Sequence, residues 1–344
     1  MREALLGWYD DTARDLPWRR TKDPYAIWVS EIMLQQTRVD TVIPYYEKFL
    51  ARFPTPAALA EADEDAVLSM WSGLGYYRRA RLLHRGVQEV VAEYGGQIPE
   101  DAQARRKLPG VGRYTAGAIG SIAFGKEEPI VDGNVSRVLA RLFAIRTPLG
   151  APATERRLWE LSERLVLGER PGDLNQALME LGATVCTPKQ PRCLLCPVSA
   201  ECQARQAGEA DALPVPRPRK VPKRLAWTAV VASRGRAAKK QVFLSKVAGR
   251  LFGGLWGVPM AESASSEDPA RAALRDAGLI ARLDDKAPVA LEHVLTHRHL
   301  HIEVFRASGA QAKATDAGRF FTQAELDEVG VSSLTKKILA AAGS

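Results

Sequence analysis

At 344 residues the chain is long enough to fill two or three hydrophobic cores. Its apolar fraction of 46% is that of a globular protein, and no run approaches the roughly 20 apolar residues of a membrane helix, so membrane-spanning and disordered classes are excluded. A net charge of +8 favours a polyanionic partner. The four cysteines all fall between Cys186 and Cys202, which is no secreted disulfide framework and suggests a metal site in a reducing cytoplasm.

The opening segment, MREALLGWYDDTARDLPWRR, is charged throughout and offers no signal-peptide core. Residues 2–11 predict an amphipathic helix, and Asp23-Pro24 then reads as a helix start, with Asp as cap and Pro in the first turn. The helix it opens, predicted over 25–37, is apolar apart from Glu31 and the closing glutamines. Glu31 has Ile27 and Trp28 one turn back and Leu34 and Gln35 one turn on. A carboxyl on such a face is costly unless paired or protonated, and desolvation raises its pKa. Two readings stand: a buried Glu satisfied by an arginine, or a general acid poised near neutral pH.

Residues 40–95 predict further helices, with Trp71-Ser72-Gly73-Leu74-Gly75-Tyr76-Tyr77-Arg78-Arg79 among them. That stretch suits a surface turn, or equally a duplex-distorting element with flat rings to wedge between bases and cations for phosphates. Leu108-Pro109-Gly110-Val111-Gly112 then separates a short basic helix from one beginning at Arg113. Gly110 and Gly112 permit positive φ and close backbone approach, so the amides of the second helix face outward, ready for an anion. Asp132, in Val131-Asp132-Gly133-Asn134, stands as N-cap of a helix with apolar positions Val135, Val138, Leu139, Leu142 and Phe143. A cap carboxylate accepting backbone N–H bonds stays ionised, which suits a plain cap and a cation-stabilising residue alike.

Residues 152–185 read as helical, with Asn175, Gln176 and Glu180 inward. The cysteines follow as Cys186-x6-Cys193-x2-Cys196-x5-Cys202, and four thiolates suit zinc or an iron–sulfur cluster. Lys189 and Arg192 lie in the same loop, placed for phosphates. Residues 208–224 form a basic, proline-rich linker, extended and suited to lie along DNA. Beyond it, Trp227 to Val231, Gln241 to Ser245 and His301 to Phe305 alternate as strands, with helices near 269–277 and 334–342.

Together LPGVG, the aliphatic helix after it and VDGN resemble the signature of the helix-hairpin-helix Gly/Pro-Asp DNA glycosylase superfamily. SEIMLQQT at residues 30–37 followed by VDGN resembles its MutY adenine glycosylase family. The resemblance implies a monofunctional glycosylase that excises adenine mispaired with 8-oxoguanine from double-stranded DNA. Glu31 would be the acid that protonates adenine N7, and Asp132 the carboxylate offsetting the sugar cation, two carboxyls with opposed pKa shifts. Tyr114 and Asn134 would assist. Relatives that also cut the backbone carry lysine at position 114 for a Schiff base, so tyrosine there implies no efficient lyase step. By the same resemblance Gln36 and Tyr76 enter the base stack, Gly110 and Gly112 hold the backbone, and Gln176 helps hold adenine. Cys186, Cys193, Cys196 and Cys202 would carry a 4Fe–4S cluster.

Gly253-Gly254-Leu255-Trp256-Gly257-Val258-Pro259 is similar to the Nudix fold, but Arg271 to Gly278 lacks most carboxylates of a magnesium-binding Nudix box. The C-terminal part is therefore expected to recognise rather than hydrolyse. Many MutY proteins carry Phe-Ser-His on a lesion-contacting loop. Here the corresponding residues are Leu295, Thr296 and His297, which would keep the bulk, the hydroxyl and a second polar contact. The expected architecture is an all-α helix-hairpin-helix domain with an iron–sulfur loop (1–207), the linker (208–224) and an α/β Nudix-like lesion-recognition domain (225–344). A monomer in the bacterial cytoplasm, nucleoid-associated through DNA, is expected. An endonuclease III-like glycosylase/lyase would want lysine at 114, and a Nudix hydrolase fused to a DNA-binding scaffold would want an intact glutamate box.

Overall fold

The computed structural model describes all residues except 218–220, 237–238, 250, 264–267, 296, 313–316 and 344. The chain divides into two compact units: Met1–Glu61 with Leu82–Arg219, and Ala62–Arg81 with Lys220–Ser344. Among the described residues, no helix is long and apolar enough to cross a membrane.

The first unit is helical. Following α1 (Arg2–Thr12), α2 (Pro24–Leu34) begins where the Asp23 side chain accepts the Tyr25 N–H and proline occupies the first turn. Every residue of α2 from Tyr25 to Met33 is buried, as expected of a helix that is apolar all round. Each large side chain so buried is worth about 1.5–3 kcal/mol over leaving it exposed. The helix stops at Leu34 rather than Thr37, because Gln36 turns into the left-handed region with φ of 58°. Next come α3 (Val39–Arg52) and α4 (Pro56–Ala60), then α5 (Glu64–Met70), which belongs to the second unit. Helices α6 (Arg78–Tyr94) and α7 (Ala102–Lys107) lead to α8 (Arg113–Phe124) and α9 (Gly133–Leu142).

The helical stretch over 152–185 is broken into α10 (Pro152–Val166) and α11 (Pro171–Thr184). Gly168 and Arg170 take positive φ between them, and Pro171 starts the second helix. Helix α11 packs on α1, α8 and α9, and α8 packs on α2. Gly172 makes the α8–α11 approach possible: a Cβ there would sit 2.5 Å from the Ser121 carbonyl oxygen and 2.8 Å from Ile122 Cα. The short α12 (Gln203–Gln206) follows the cysteine loop.

The second unit is built on a mixed sheet, with eight strands among the described residues. They are β1 (Lys223–Arg234), β2 (Gln241–Lys246), β3 (Trp256–Gly257), β4 (Met260–Glu262), β5 (Ile280–Leu283), β6 (Val289–Leu295), β7 (Arg298–Gln311) and β8 (Gly318–Phe321). Central β1 pairs parallel with β7 and antiparallel with β2 and β4. Alternation along β1 fills two cores: Ala229 and Val231 face one, Val230 and Ala232 the other. The helix α13 (Pro269–Asp276) covers the second core with Ala270, Ala273 and Leu274, while α14 (Gln323–Glu328) and α15 (Ser333–Ala341) add Leu326, Leu334 and Ile338 to the first. Residues 62–81 pack as part of this unit. The Tyr77 hydroxyl donates to the Val331 carbonyl at 2.9 Å, and Asp65 pairs with Lys246 at 3.2 Å.

Gly172→Ala should lower thermal stability by about 1–3 kcal/mol, because backbone rather than a flexible side chain blocks the methyl. An unchanged melting temperature would show that α8 and α11 can part at no cost.

Candidate active site

A cavity of about 700 Å³ opens in the first unit, and Gln36, Gly110, Gly112, Gln176, Glu31, Tyr114, Asp132 and Asn134 all line it. Helix α2 brings Glu31 to its wall, 5% exposed, and the first turn of α8 brings Tyr114. The Tyr114 hydroxyl donates to Glu31 Oε2 at 2.6 Å and also lies 3.3 Å from Met179 Sδ. Among the described residues no cation pairs with Glu31. The arginines that could have done so serve another buried carboxylate: Arg14 Nε lies 2.6 Å from Glu180 Oε1 and Arg19 Nη2 lies 2.8 Å from Glu180 Oε2. Burial alone would raise the Glu180 pKa, but those two guanidinium groups outweigh it and hold the pKa below the ordinary value.

Glu31 has no such help. Burial pushes its pKa up to about 7, the Tyr114 bond pulls against this, and the negative charge of Asp132 adds to the rise. Burial, with Glu31 and Asp132 nearby, lifts the Tyr114 pKa well above the ordinary phenol value, so Tyr114 stays a donor. The Asp132 carboxyl caps α9, accepting the Val135 N–H at 2.7 Å. Its pKa is also raised, by burial, although backbone N–H bonds and Arg137 hold it back. The opposed shifts expected of the two carboxyls are therefore not seen. Both groups face the same cavity away from bulk water, and they differ in how far donors compensate.

Asn134 lies one turn before Arg137, whose Nη2 donates to Asn134 Oδ1 at 2.8 Å and to the Gly182 carbonyl at 2.7 Å. Arg137 Nε reaches the Cys186 carbonyl at 2.8 Å. One turn on, buried Arg141 donates to Cys186 Sγ at 3.3 Å, to the Thr187 carbonyl at 2.7 Å and to the Leu213 carbonyl at 2.8 Å. Thus α9 runs from the Asp132 cap to the cysteine loop. Sequence reading missed both arginines, although their spacing of four on a helix with an apolar face was visible. It also missed Arg14, Arg19 and Met179, whose contacts span 65 residues or more of chain.

At the hairpin, Gly110 takes φ of 80° and its hydrogen stands against Leu82, where a Cβ would come within 2.8 Å of Leu82 Cβ. Gly112 is different from expectation: its φ is −86° in extended backbone, and a Cβ there would meet nothing within 4 Å. What it leaves open is space in front of the α8 N-terminus. Tyr76 is not on the cavity; it belongs to the second unit, half-exposed, with φ of 48° and the Arg79 guanidinium 5.4 Å from its ring centre. Leu295 and His297 lie at the β6–β7 hairpin, Leu295 partly buried against the core and His297 exposed; Thr296 lies outside the described residues.

The four cysteines, none in a disulfide, are half-buried in one loop. A single tetrahedral zinc with Zn–S bonds near 2.3 Å needs its sulfurs about 3.8 Å apart. Among the described residues no three of these sulfurs lie within 4.8 Å of one another. Four cysteines gathered in one loop suit zinc or an iron–sulfur cluster.

Residues 29–164 match the model of the HhH-GPD superfamily of base excision DNA repair proteins, and residues 231–341 match a NUDIX domain model. The chain is 32% identical to a thermostable thymine-DNA glycosylase of known structure, covering 95% of that chain and 60% of its own length, with a TM-score of 0.54. The chain belongs to the HhH-GPD superfamily. It is also similar to the adenine DNA glycosylases of Homo sapiens, 52% identical over 62% of this chain and 40% of the relative, and of Buchnera aphidicola subsp. Acyrthosiphon pisum (strain APS), 38% identical over 67% of this chain and 66% of the relative. It spans about two fifths of the length of the human relative. Superfamily membership accords with the hairpin and the Asp132 cap meeting at one cavity, and the second unit is Nudix-like.

The Glu31 site carries a stability signature. Its folded pKa of about 7 lies above the ordinary 4.5. Between those values the native state holds more protons than the unfolded chain, so stability is lost as pH rises through that window. The loss amounts to roughly 3 kcal/mol at one pKa unit per 1.36 kcal/mol. Glu31→Gln should therefore melt several degrees higher than the unaltered protein at pH 8, with the gap closing toward pH 5. A gap independent of pH would mean that Glu31 has a partner that keeps it ionised.

Proposed function

We propose that the chain is a monofunctional adenine DNA glycosylase that removes adenine paired with 8-oxoguanine. The observation that carries this reading is the Glu31 carboxyl, buried in the cavity wall, bonded to Tyr114 and raised to about 7. Such a group is about half protonated at neutral pH and can give its proton within a water-poor site. Adenine must leave the stack to reach it. Proton transfer from Glu31 to N7 makes the base a neutral leaving group as the N9–C1′ bond breaks. Asp132, near enough for its charge to raise the Glu31 pKa, then faces the positive sugar. Water adds to C1′ and loses a proton, leaving an abasic site. Gln176, which lines the cavity, would bond the base edge, and Asn134 would order the sugar or water.

Tyr114 supplies no amine, so no Schiff base forms at this position. Its hydroxyl is committed to Glu31, which it keeps oriented. The names of the human and Buchnera relatives support adenine as the base. Gly110 and Gly112 with the α8 N-terminus would hold a phosphate, Gln36 and Tyr76 would enter the duplex, and the hairpin at Leu295 to His297 would read the lesion. Cys186, Cys193, Cys196 and Cys202 would hold a 4Fe–4S cluster, which would serve a structural part, while Arg137 and Arg141 bond Cys186 of that loop to α9.

The test is single-turnover cleavage of an 8-oxoguanine:A duplex with and without alkali. Strand breaks should appear only after alkali. Glu31→Gln should bind the duplex and lose at least a hundredfold in rate, the usual yield of a general acid, and Asp132→Asn should be similarly crippled. Near-normal excision by either variant would return that residue to a structural role. Anaerobically purified protein should carry about four irons per chain; zinc in their place would refute the cluster.

A further inference from the structure

We propose that Glu292, His299 and His301 form a surface site for a divalent transition metal ion, with zinc the best suited. The register of the β6–β7 hairpin builds it. Glu292 stands directly opposite His301, and His299 is two residues before His301 on the same strand face. The inward positions of these strands are taken by Leu291, Leu300 and Ile302, which join the core, so the three polar side chains share the outer face.

The side chains already converge. His299 Nε2 lies 3.2 Å from Glu292 Oε2 and His301 Nδ1 lies 3.3 Å from Glu292 Oε1. One ligand atom from each residue falls within 4.8 Å of the other two, and among the described residues no other three His, Cys, Asp or Glu side chains achieve this. A tetrahedral zinc with bonds of about 2.0–2.2 Å to nitrogen and oxygen needs ligands roughly 3.3–3.5 Å apart. Each histidine already stands at about that distance from one oxygen of the Glu292 carboxylate, and side-chain adjustment alone would bring one atom of each residue onto a common ion. Two imidazoles and one carboxylate suit zinc, copper or nickel, while magnesium and calcium want oxygen alone. The fourth position faces solvent and would hold water.

The local charge is mixed. Arg224 on β1 is in register with His299, and Glu303 follows His301 on the same face. The arginine opposes a cation and the second carboxylate offsets it. A bound ion would tie β6 to β7 just behind the hairpin turn that carries His297, stiffening the hairpin.

The experiment is calorimetric titration of the full-length protein with zinc chloride at pH 7.5, with its metal content determined before and after. One zinc equivalent beyond that content should bind. Glu292→Gln and His301→Ala should each weaken binding at least tenfold, and His301→Cys, which restores a zinc ligand, should recover it. His297→Ala, outside the cluster, should leave it unchanged. If no saturable equivalent binds, or if both Glu292→Gln and His301→Ala bind like the unaltered protein, the proposal is wrong and the cluster is only a pair of histidines resting on a carboxylate.

Discussion

A carboxyl group placed among apolar side chains must find a cation or keep its proton. Much of the first unit follows from the second choice being made at Glu31. Helix α2 is buried from Tyr25 to Met33, which keeps Glu31 from open water, and Arg14 and Arg19 pair with Glu180. The donor that remains is a neutral phenol. Had either arginine stood beside Glu31, its pKa would have fallen and the proton would be absent at neutral pH. Pairing Glu180 and leaving Glu31 to Tyr114 separates a carboxylate held ionised from one that holds its proton more tightly, within a single cavity.

The second carboxyl is held by different means. Asp132 is fixed by the helix it caps, and α9 is fixed at its other end by Arg137 and Arg141, which grip the backbone and sulfur around Cys186. A half-buried guanidinium group, Arg137, and a buried one, Arg141, thus link the cysteine loop to the cap through one helix. Loss of that loop would be felt at Asn134 and Asp132 as well as at any surface the loop presents.

Much of this was legible in the chain. Asp23-Pro24 announced α2, the lone Glu31 stood out against Ile27, Trp28 and Leu34, and Asp132 was recognisable as a cap because capping and helical periodicity are local signals. The four cysteines stood out as one group by clustering in the sequence. What was not legible depends on distant partners. Nothing near Glu180 in sequence points to Arg14, and nothing near Glu31 points to Tyr114, 83 residues away. Local signals also misled where tertiary environment wins. Capping bonds suggested an ordinary acidity for Asp132, yet burial raises it, and helix propensity carried the 25–37 reading past the left-handed turn at Gln36. Residues 62–81 lie within the helical part of the sequence but pack with the strands that follow much later, which no local pattern could reveal.

The central claim is that Glu31 gives up a proton held in a buried site. The most direct measurement is the single-turnover rate of adenine release as a function of pH, with enzyme in excess over an 8-oxoguanine:A duplex. A general acid works only while protonated, so the rate should be level in mild acid, bend near pH 7 where the Glu31 pKa lies, and fall about tenfold per pH unit above it. A rate that stays flat from pH 6 to 9, or rises through that range, would contradict the account and show that the proton comes from elsewhere.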